Sequence, residues 1–111
     1  MKICGEVKNG ELKLVLSGEL DHHGAKNVMQ SAAAIIDEYV PRSCVMDLND
    51  VAFMDSSGIA LILNVNKRLG NIGGRLRVEG VTKQPMKVIK ASGIDRIISI
   101  KEHMEDLYEN K

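Results

Sequence analysis

The alternation of strand-like and helix-like segments constrains the fold of this chain of 111 residues more than any other feature. Two segments with the alternating pattern of strands, 3–7 and 11–16, flank Asn9-Gly10, a dipeptide typical of two-residue hairpin turns. After this hairpin, single predicted strands alternate with predicted helices. Because a helical crossover makes the two strands that it joins parallel, the pattern predicts an α/β fold with a mixed sheet.

The segments after the hairpin are each predicted from periodicity and from residues that start or stop helices. Apolar residues recur at helical spacing over 25–40, and Pro41 ends this segment. Thr82 starts a later helix that tolerates Pro85 in its first turn. The predicted order is helix 25–40, strand 43–48, helix 57–69, strand 75–79, a helix from 82 to about 93, strand 97–100 and helix 102–108. The chain is therefore predicted to form a single domain over 1–111, with a sheet covered by about four helices.

Composition excludes several classes of function. Lysine plus arginine equals aspartate plus glutamate, at 15 each, so there is no overall field to attract nucleic acid or an anionic membrane. Aromatic residues make up 3% of the chain, too few for a surface on which bases stack. Neither a secretory signal nor an apolar run of about 18 residues occurs. We therefore expect a cytoplasmic protein that binds neither nucleic acid nor membranes directly.

Cysteines and histidines do not form a metal-binding or redox pattern. Cys4 and Cys44 lack a C-x-x-C spacing, so in a reducing compartment we expect both to be small, buried hydrophobic residues. His22 and His23 are adjacent and point in different directions, and the third histidine, His103, is distant in sequence. We expect His22 and His23 to be solvated loop residues. The sequence predicts no metal site and no cofactor.

The tetrapeptide Asp55-Ser56-Ser57-Gly58 carries the candidate chemistry. It lies where an apolar, strand-like run gives way to an apolar helix, and Asp and Ser are preferred at such helix N-termini because their oxygens accept first-turn amides. The free amides and the helix dipole also favour an anion there. By itself the tetrapeptide favours a simple N-cap, with a phosphorylation or phosphate site as the alternative. The carboxyl end of a strand is also where open α/β sheets usually place their sites.

Two motifs together point to a known family. Gly18-Glu19-Leu20-Asp21-His22-His23 after a strand, and Phe53-Met54-Asp55-Ser56-Ser57-Gly58 before an apolar helix, closely resemble the bacterial anti-sigma factor antagonists of the STAS domain class, and their sporulation branch in particular. The resemblance covers nearly the whole chain, including Gly73-Gly74 and Ser92-Gly93-Ile94. One departure is Gly24, where a residue better suited to starting a helix is expected.

The resemblance implies a partner-switching protein rather than an enzyme. Such an antagonist binds an anti-sigma factor that is also a serine kinase, loaded with ADP or ATP, and displaces its sigma factor. The kinase phosphorylates the first serine of D-S-S-G, which is Ser56 here, and a PP2C-like serine phosphatase restores it. The resemblance places Asp21, Asp55, Ser57 and Gly58 around Ser56 as the partner-binding surface. Asp21 is equally suited to cap the first helix. We expect a monomer.

The sequence leaves one other pathway open and supports two other classes of function only weakly. A general stress-response pathway could use the same switch in place of sporulation. A serine hydrolase would need a G-x-S-x-G elbow, a histidine base and an orienting carboxylate, which the sequence does not offer convincingly. A nucleotide-binding module would need G-x-x-x-x-G-K-[ST] or G-x-G-x-x-G, and neither motif occurs.

Overall fold

Residues 1–104 contain five strands, which form one mixed sheet whose spatial order repeats their order along the chain. The computed structural model describes residues 1–104. The strands are β1 (Lys2–Lys8), β2 (Glu11–Leu20), β3 (Ser43–Met54), β4 (Arg75–Val81) and β5 (Ser99–Glu102). β1 pairs antiparallel with β2, and the remaining neighbours pair in parallel. The predicted hairpin is confirmed, since Asn9 and Gly10 both have the positive φ, 54° and 78°, that a type I′ turn requires.

The helices follow one another along the sheet. They are α1 (His22–Tyr39), α2 (Ser56–Asn71) and α3 (Lys83–Ser92), and a single 3₁₀ turn at Ile94–Arg96 follows them. Because every crossover advances to the next strand in the same direction, right-handed connections place all of them on one face of the sheet. The α/β class and mixed sheet are confirmed. Residues 1–104 contain three α-helices rather than about four, and the predicted fourth, 102–108, has Glu102 in β5 and lies mostly outside the described residues.

The two faces of the sheet differ because successive side chains of a strand point to opposite sides. The helix-covered face is apolar, with Leu12, Leu14, Leu16, Cys44, Met46, Leu48 and Val78 in the core. The opposite face carries ion pairs, of which the shortest joins Arg77 to Glu11 at 2.7 Å. The Arg77 guanidinium lowers the pKa of Glu11, and the hydrogen bond to Glu11 raises the pKa of Arg77. Because one face is covered by helices and the other carries ion pairs, we expect a functional site at an edge of the sheet.

Two strands are longer at their carboxyl ends than the sequence predicts. β2 continues to Leu20 and β3 to Met54, in place of ends at residues 16 and 48. Asn49 and Asp50 suggest a loop, but the register between β2 and β3 shifts at this point and pairing resumes, with Gly18 opposite Val51 and Leu20 opposite Met54. As a result, α1 and α2 begin almost directly after their strands.

The two cysteines differ in exposure. Cys44 is buried in β3, and burial raises the pKa of its thiol to about 12, so it is protonated at neutral pH. The prediction of a buried residue is wrong for Cys4, which is exposed on the edge strand β1, where no further strand or helix covers its face. Across residues 1–104, no helix combines the length and apolar character that crossing a membrane requires.

Candidate functional site

The N-termini of α1 and α2 lie side by side at the carboxyl edge of the sheet. Leu20 and Met54 are paired across β2 and β3, and the next residues are Asp21 and Asp55. The Asp55 N–H donates to the Leu20 carbonyl oxygen at 3.2 Å, which ties one helix N-terminus to the strand that leads into the other. The two motifs found in the sequence therefore form one region of the surface.

Asp55 is the N-cap of α2. Its Oδ1 accepts a hydrogen bond from the Ser57 N–H at 2.7 Å, and its carbonyl oxygen accepts one from the Gly58 N–H at 3.0 Å. Ser57 was expected to be the cap or the first helical residue, but it is the second, because Asp55 supplies the cap and Ser56 begins the helix. Ser57 is half-buried.

Ser56 is exposed, and its hydroxyl forms no hydrogen bond with any other residue that the structure describes. The hydroxyl therefore stands unengaged at the positive end of the α2 dipole, where an added anion is favourable. The Asp55 carboxylate fixes the backbone of the first turn by accepting from the Ser57 N–H, and it does not bond to the Ser56 hydroxyl. This is a geometry in which a hydroxyl can be offered to another molecule.

Asp21 is the N-cap of α1. Its Oδ1 accepts a hydrogen bond from the Gly24 N–H at 2.8 Å, which confirms the capping alternative and starts the helix three residues earlier than predicted. His22 and His23 are exposed, as expected, but they form the first turn of α1 rather than a loop, with their ring centroids 5.8 Å apart. The half-buried Asp21 keeps its second oxygen available for other contacts.

Both N-termini contain a buried glycine in close contact with the strand before it. A Cβ at Gly24 would overlap the carbonyl oxygen of Glu19, which explains the residue that departs from the family pattern. A Cβ at Gly58 would lie 2.5 Å from Cγ of Met54. Gly58 therefore lies beneath the surface and allows α2 to approach the buried Met54 side chain, so that its part in any partner surface is indirect.

A groove between α1 and α2 adjoins Ser56. Its volume is about 370 Å³, and it is lined mainly by apolar atoms. The lining residues are His22, Ala25, Lys26, Met29, Gln30, Ser57 and Ala60. Sequence analysis did not anticipate this groove, because its two walls come from helices that are separated in the chain. It is concave and apolar, which suits the insertion of an apolar side chain from another protein.

Side-chain contacts of two further residues at this edge were not predicted from the sequence. The Gln84 amide makes two hydrogen bonds with the Met54 backbone, at 2.7 and 2.9 Å. Thr82 is the N-cap residue of α3, as predicted, but its hydroxyl donates to the Val51 carbonyl oxygen at 2.8 Å and makes no capping hydrogen bond to the helix. No sequence pattern signals either contact, since both depend on how α3 packs against β3.

The described residues, 1–104, contain no group of three or more His, Cys, Asp or Glu side chains that could hold a metal ion. The groups that this edge offers to a partner include a hydroxyl, carboxylates and imidazoles.

Comparison with known proteins places this geometry in a family. The sequence pattern of the STAS domain matches residues 4–107. The chain belongs to the STAS domain family. It is 33% identical over 100 residues to an anti-sigma F factor antagonist of Paenibacillus polymyxa, covering 90% of this chain and 86% of that protein. It is 26% identical over 103 residues to the anti-sigma-B factor antagonist of Bacillus subtilis, covering 90% of this chain and 92% of that one.

The fold is also that of a solved anti-sigma factor antagonist, SpoIIAA. Its unphosphorylated form superposes with a TM-score of 0.76 at 24% identity, covering 98% of this chain and 95% of SpoIIAA. The phosphorylated form of SpoIIAA from Bacillus superposes with a TM-score of 0.67 at 23% identity, covering 99% of this chain and 100% of that one. These matches confirm the STAS-type fold, with its mixed sheet and helices, for nearly the whole chain.

Proposed function

We propose that this STAS domain protein is an anti-sigma factor antagonist controlled by phosphorylation of Ser56. In its unphosphorylated form it binds an anti-sigma factor that is a serine kinase, with ADP or ATP bound, and releases the sigma factor held there. The observation that carries the proposal is the exposed, unengaged Ser56 hydroxyl at the α2 N-terminus, in a family whose similar members are named as such antagonists.

The α2 N-terminus suits a phosphoacceptor. The Asp55 cap fixes the first turn through the Ser57 amide at 2.7 Å, so the Ser56 hydroxyl is presented from a defined backbone. A phosphate on Ser56 keeps favourable contact with the helix dipole, and the fold can therefore carry it. Phosphorylation is then expected to change the surface and not the structure beneath it.

The effect of the phosphate follows from charge. It contributes about −1.5 to −2 at neutral pH, beside the carboxylate of Asp55 and near the adjoining α1 N-terminus with Asp21. An interface formed around a neutral hydroxyl would then contain an anion without a counterion, which is costly to bury. Binding to the kinase should be lost, and a PP2C-like phosphatase that removes the phosphate should restore it.

The surface around Ser56 suits a protein partner. The groove between α1 and α2 is apolar and accessible, while Asp21 and the two exposed histidines supply polar contacts at its rim. We propose that the kinase contacts Asp21, Asp55 and Ser57 directly, and that Gly58 contributes by seating α2. The protein acts as a cytoplasmic monomer, without catalytic activity, a cofactor, nucleic acid or a membrane.

Intact-mass measurement after incubation with the cognate kinase and ATP tests the proposal. Wild type should gain one phosphate, Ser56→Ala none, and the control Ser57→Ala one. Treatment of the phosphorylated wild type with a PP2C-like phosphatase should return the original mass. Phosphate recovered on Ser57, or no phosphate on the wild type, contradicts the assignment.

A second candidate keeps the mechanism but changes the pathway. Similarity to an anti-sigma-B factor antagonist extends over 90% of the chain, which supports a general stress-response role as the alternative to sporulation. Titration of the protein against purified anti-sigma F and anti-sigma B factors, each with ADP, distinguishes the two. We expect tighter binding to the F-type factor, since the F-type relative is 33% identical and the B-type relative 26%.

A further inference from the structure

Within residues 1–104, the second half of β3 has no strand neighbour on the β4 side. β4 pairs with β3 from Ser43 to Asp47 only, opposite Arg75 to Glu79. Gly80 then turns β4 away with φ of +71°, and it passes so close to Asn49 that a Cβ there would lie 2.5 Å from the Asn49 Oδ1. The backbone that leads to Ser56 therefore lacks ladder hydrogen bonds on this side, and buried polar backbone groups without partners are costly.

Side chains from α3 and its N-cap take the place of the missing strand. The Met54 N–H donates to the Gln84 Oε1 at 2.7 Å, and the Gln84 Nε2 donates to the Met54 carbonyl oxygen at 2.9 Å. Both polar groups of one residue are thus paired by one amide, as a strand neighbour would pair them. We call these two hydrogen bonds the Gln84 bridge.

The Gln84 bridge acts two residues before the phosphoacceptor. Met54 is fully buried, and its side chain lies under Gly58 of α2. On the other side, the next residue, Asp55, donates its N–H to Leu20 of β2 at 3.2 Å. The segment that ends at Ser56 is therefore held from both sides, by β2 and by α3, and only the α3 side depends on a side chain.

We propose that Gln84 is a positioning residue for Ser56, holding the Met54–Asp55 backbone so that the hydroxyl is presented to the kinase in one orientation. This inference rests on the proposed role of Ser56 as phosphoacceptor. It assigns α3, which is not adjacent to Ser56 in the chain, a part in the phosphorylation step. Glutamine fits this position because its amide donates and accepts at once, whereas a carboxylate can only accept.

The bridge is tested first in the isolated protein, by amide hydrogen exchange at Met54 followed by NMR. Gln84→Ala should lower the protection of the Met54 amide about tenfold, since its acceptor is lost. Gln84→Glu at pH 7 can still accept from the Met54 N–H but cannot donate to the Met54 carbonyl oxygen, so protection should fall by less than in Gln84→Ala. Protection should return as the pH falls through about 4–5, because the protonated carboxyl again donates and accepts.

A purely steric role for the Gln84 side chain would give no such pH dependence. Lys87→Ala, at an exposed position on the same helix, is the control, and its Met54 protection should match wild type within about twofold at both pH values. Equal protection of Met54 in wild type and in Gln84→Ala, with both proteins folded by circular dichroism, overturns the bridge.

The consequence for Ser56 is tested with the cognate kinase and ATP. Gln84→Ala should lower kcat for phosphate transfer about tenfold while KM for the antagonist stays within about twofold, because misalignment of the hydroxyl affects the transfer more than the docking. Lys87→Ala should retain the wild-type kcat. If wild type accepts phosphate and Gln84→Ala accepts it with the same kcat, the positioning role is wrong. If wild type accepts none, the proposed function fails, whereas the exchange experiment still decides the bridge.

Discussion

The N-termini of α1 and α2 use the same cap but are held differently. Asp21 and Asp55 each accept one first-turn amide, at 2.8 and 2.7 Å. Before Asp55, however, the backbone of buried Met54 is paired with Gln84, and Asp55 itself is bonded to Leu20. The first turn of α1 instead exposes two histidines to solvent.

An aspartate cap at two neighbouring helix N-termini is therefore compatible with two different roles. At the α2 N-terminus, contacts on both sides fix the backbone below the exposed Ser56 hydroxyl, which suits its proposed role as phosphoacceptor, because phosphate transfer requires one geometry. At the α1 N-terminus, a carboxylate and two imidazoles lie at a helix end, which suits polar contacts with a protein partner.

The largest effect is expected on binding when the α2 N-terminus becomes charged. Ser56→Asp should bind the kinase–ADP complex more weakly than wild type by a few kcal/mol, because the interface would bury an unpaired carboxylate. Ser56→Ala should bind nearly as wild type does. Calorimetric titration measures both, and a Ser56→Asp variant that binds as tightly as wild type would rule out the electrostatic account.

Alanine substitution of the two buried glycines should lower the free energy of unfolding by different amounts. At Gly24 the added methyl group of Gly24→Ala meets the Glu19 carbonyl oxygen, a backbone atom that cannot move alone, whereas at Gly58 it meets the Met54 side chain. Overpacking costs about 1–3 kcal/mol, and we expect Gly24→Ala to lie at or above the top of that range and Gly58→Ala within it. Urea unfolding monitored by circular dichroism gives both values; the opposite order would contradict the packing argument.

Removal of either cap should lower the free energy of unfolding by a similar amount, whereas removal of the Asp21 charge should also weaken kinase binding. Asp21→Ala and Asp55→Ala should each lower the free energy of unfolding by about 0.5–2 kcal/mol, while Asp21→Asn should retain most of the stability because asparagine caps as well as aspartate. Asp21→Asn should still bind the kinase more weakly, since it lacks the charge. If it binds as wild type does, Asp21 is a cap only.

The smallest effect is expected on the stability of the phosphorylated protein. An anion in the first turn of a helix stabilises it by about 0.3–1 kcal/mol, and the neighbouring Asp55 carboxylate opposes part of this gain. The Tm of the phosphorylated protein should therefore stay within about 5 °C of the unmodified form. Scanning calorimetry checks this, and a phosphoprotein that is unfolded at room temperature would show that the switch is not local.

Much of the fold follows from local patterns. The Asn9-Gly10 hairpin and the alternation of strands with helices are confirmed because turn chemistry and periodicity act over a few residues. The carboxyl halves of β2 and β3 were missed because Asn49 and Asp50 interrupt the apolar pattern, while the pairing that overrides them comes from a different part of the chain. Cys4 was expected to be buried, but an edge strand leaves one of its faces uncovered.

The candidate site divides in the same way. The cap at Asp21 and the presence of an N-cap within residues 55–58 could be predicted, because capping depends on adjacent residues, but the cap of α2 was expected at Ser57 and is Asp55. The reason for Gly24, the groove between α1 and α2, and the Gln84 bridge could not, because each requires two distant segments to be placed against each other. The adjacent residues are enough to propose Ser56 as the phosphoacceptor, whereas the contacts that hold its backbone are visible only in the structure.

The strands lie in the sheet in the order in which the ribosome makes them, so each new strand joins one that is already present. Because each strand pairs with the one made just before it, such an order is compatible with folding from the N-terminus during synthesis. Both capped helix N-termini are complete once residue 71 has emerged, but the bridge to Met54 needs residue 84. We therefore expect the nascent protein to acquire a well-ordered phosphoacceptor segment only with its third helix, which delays a competent substrate until most of the domain is folded.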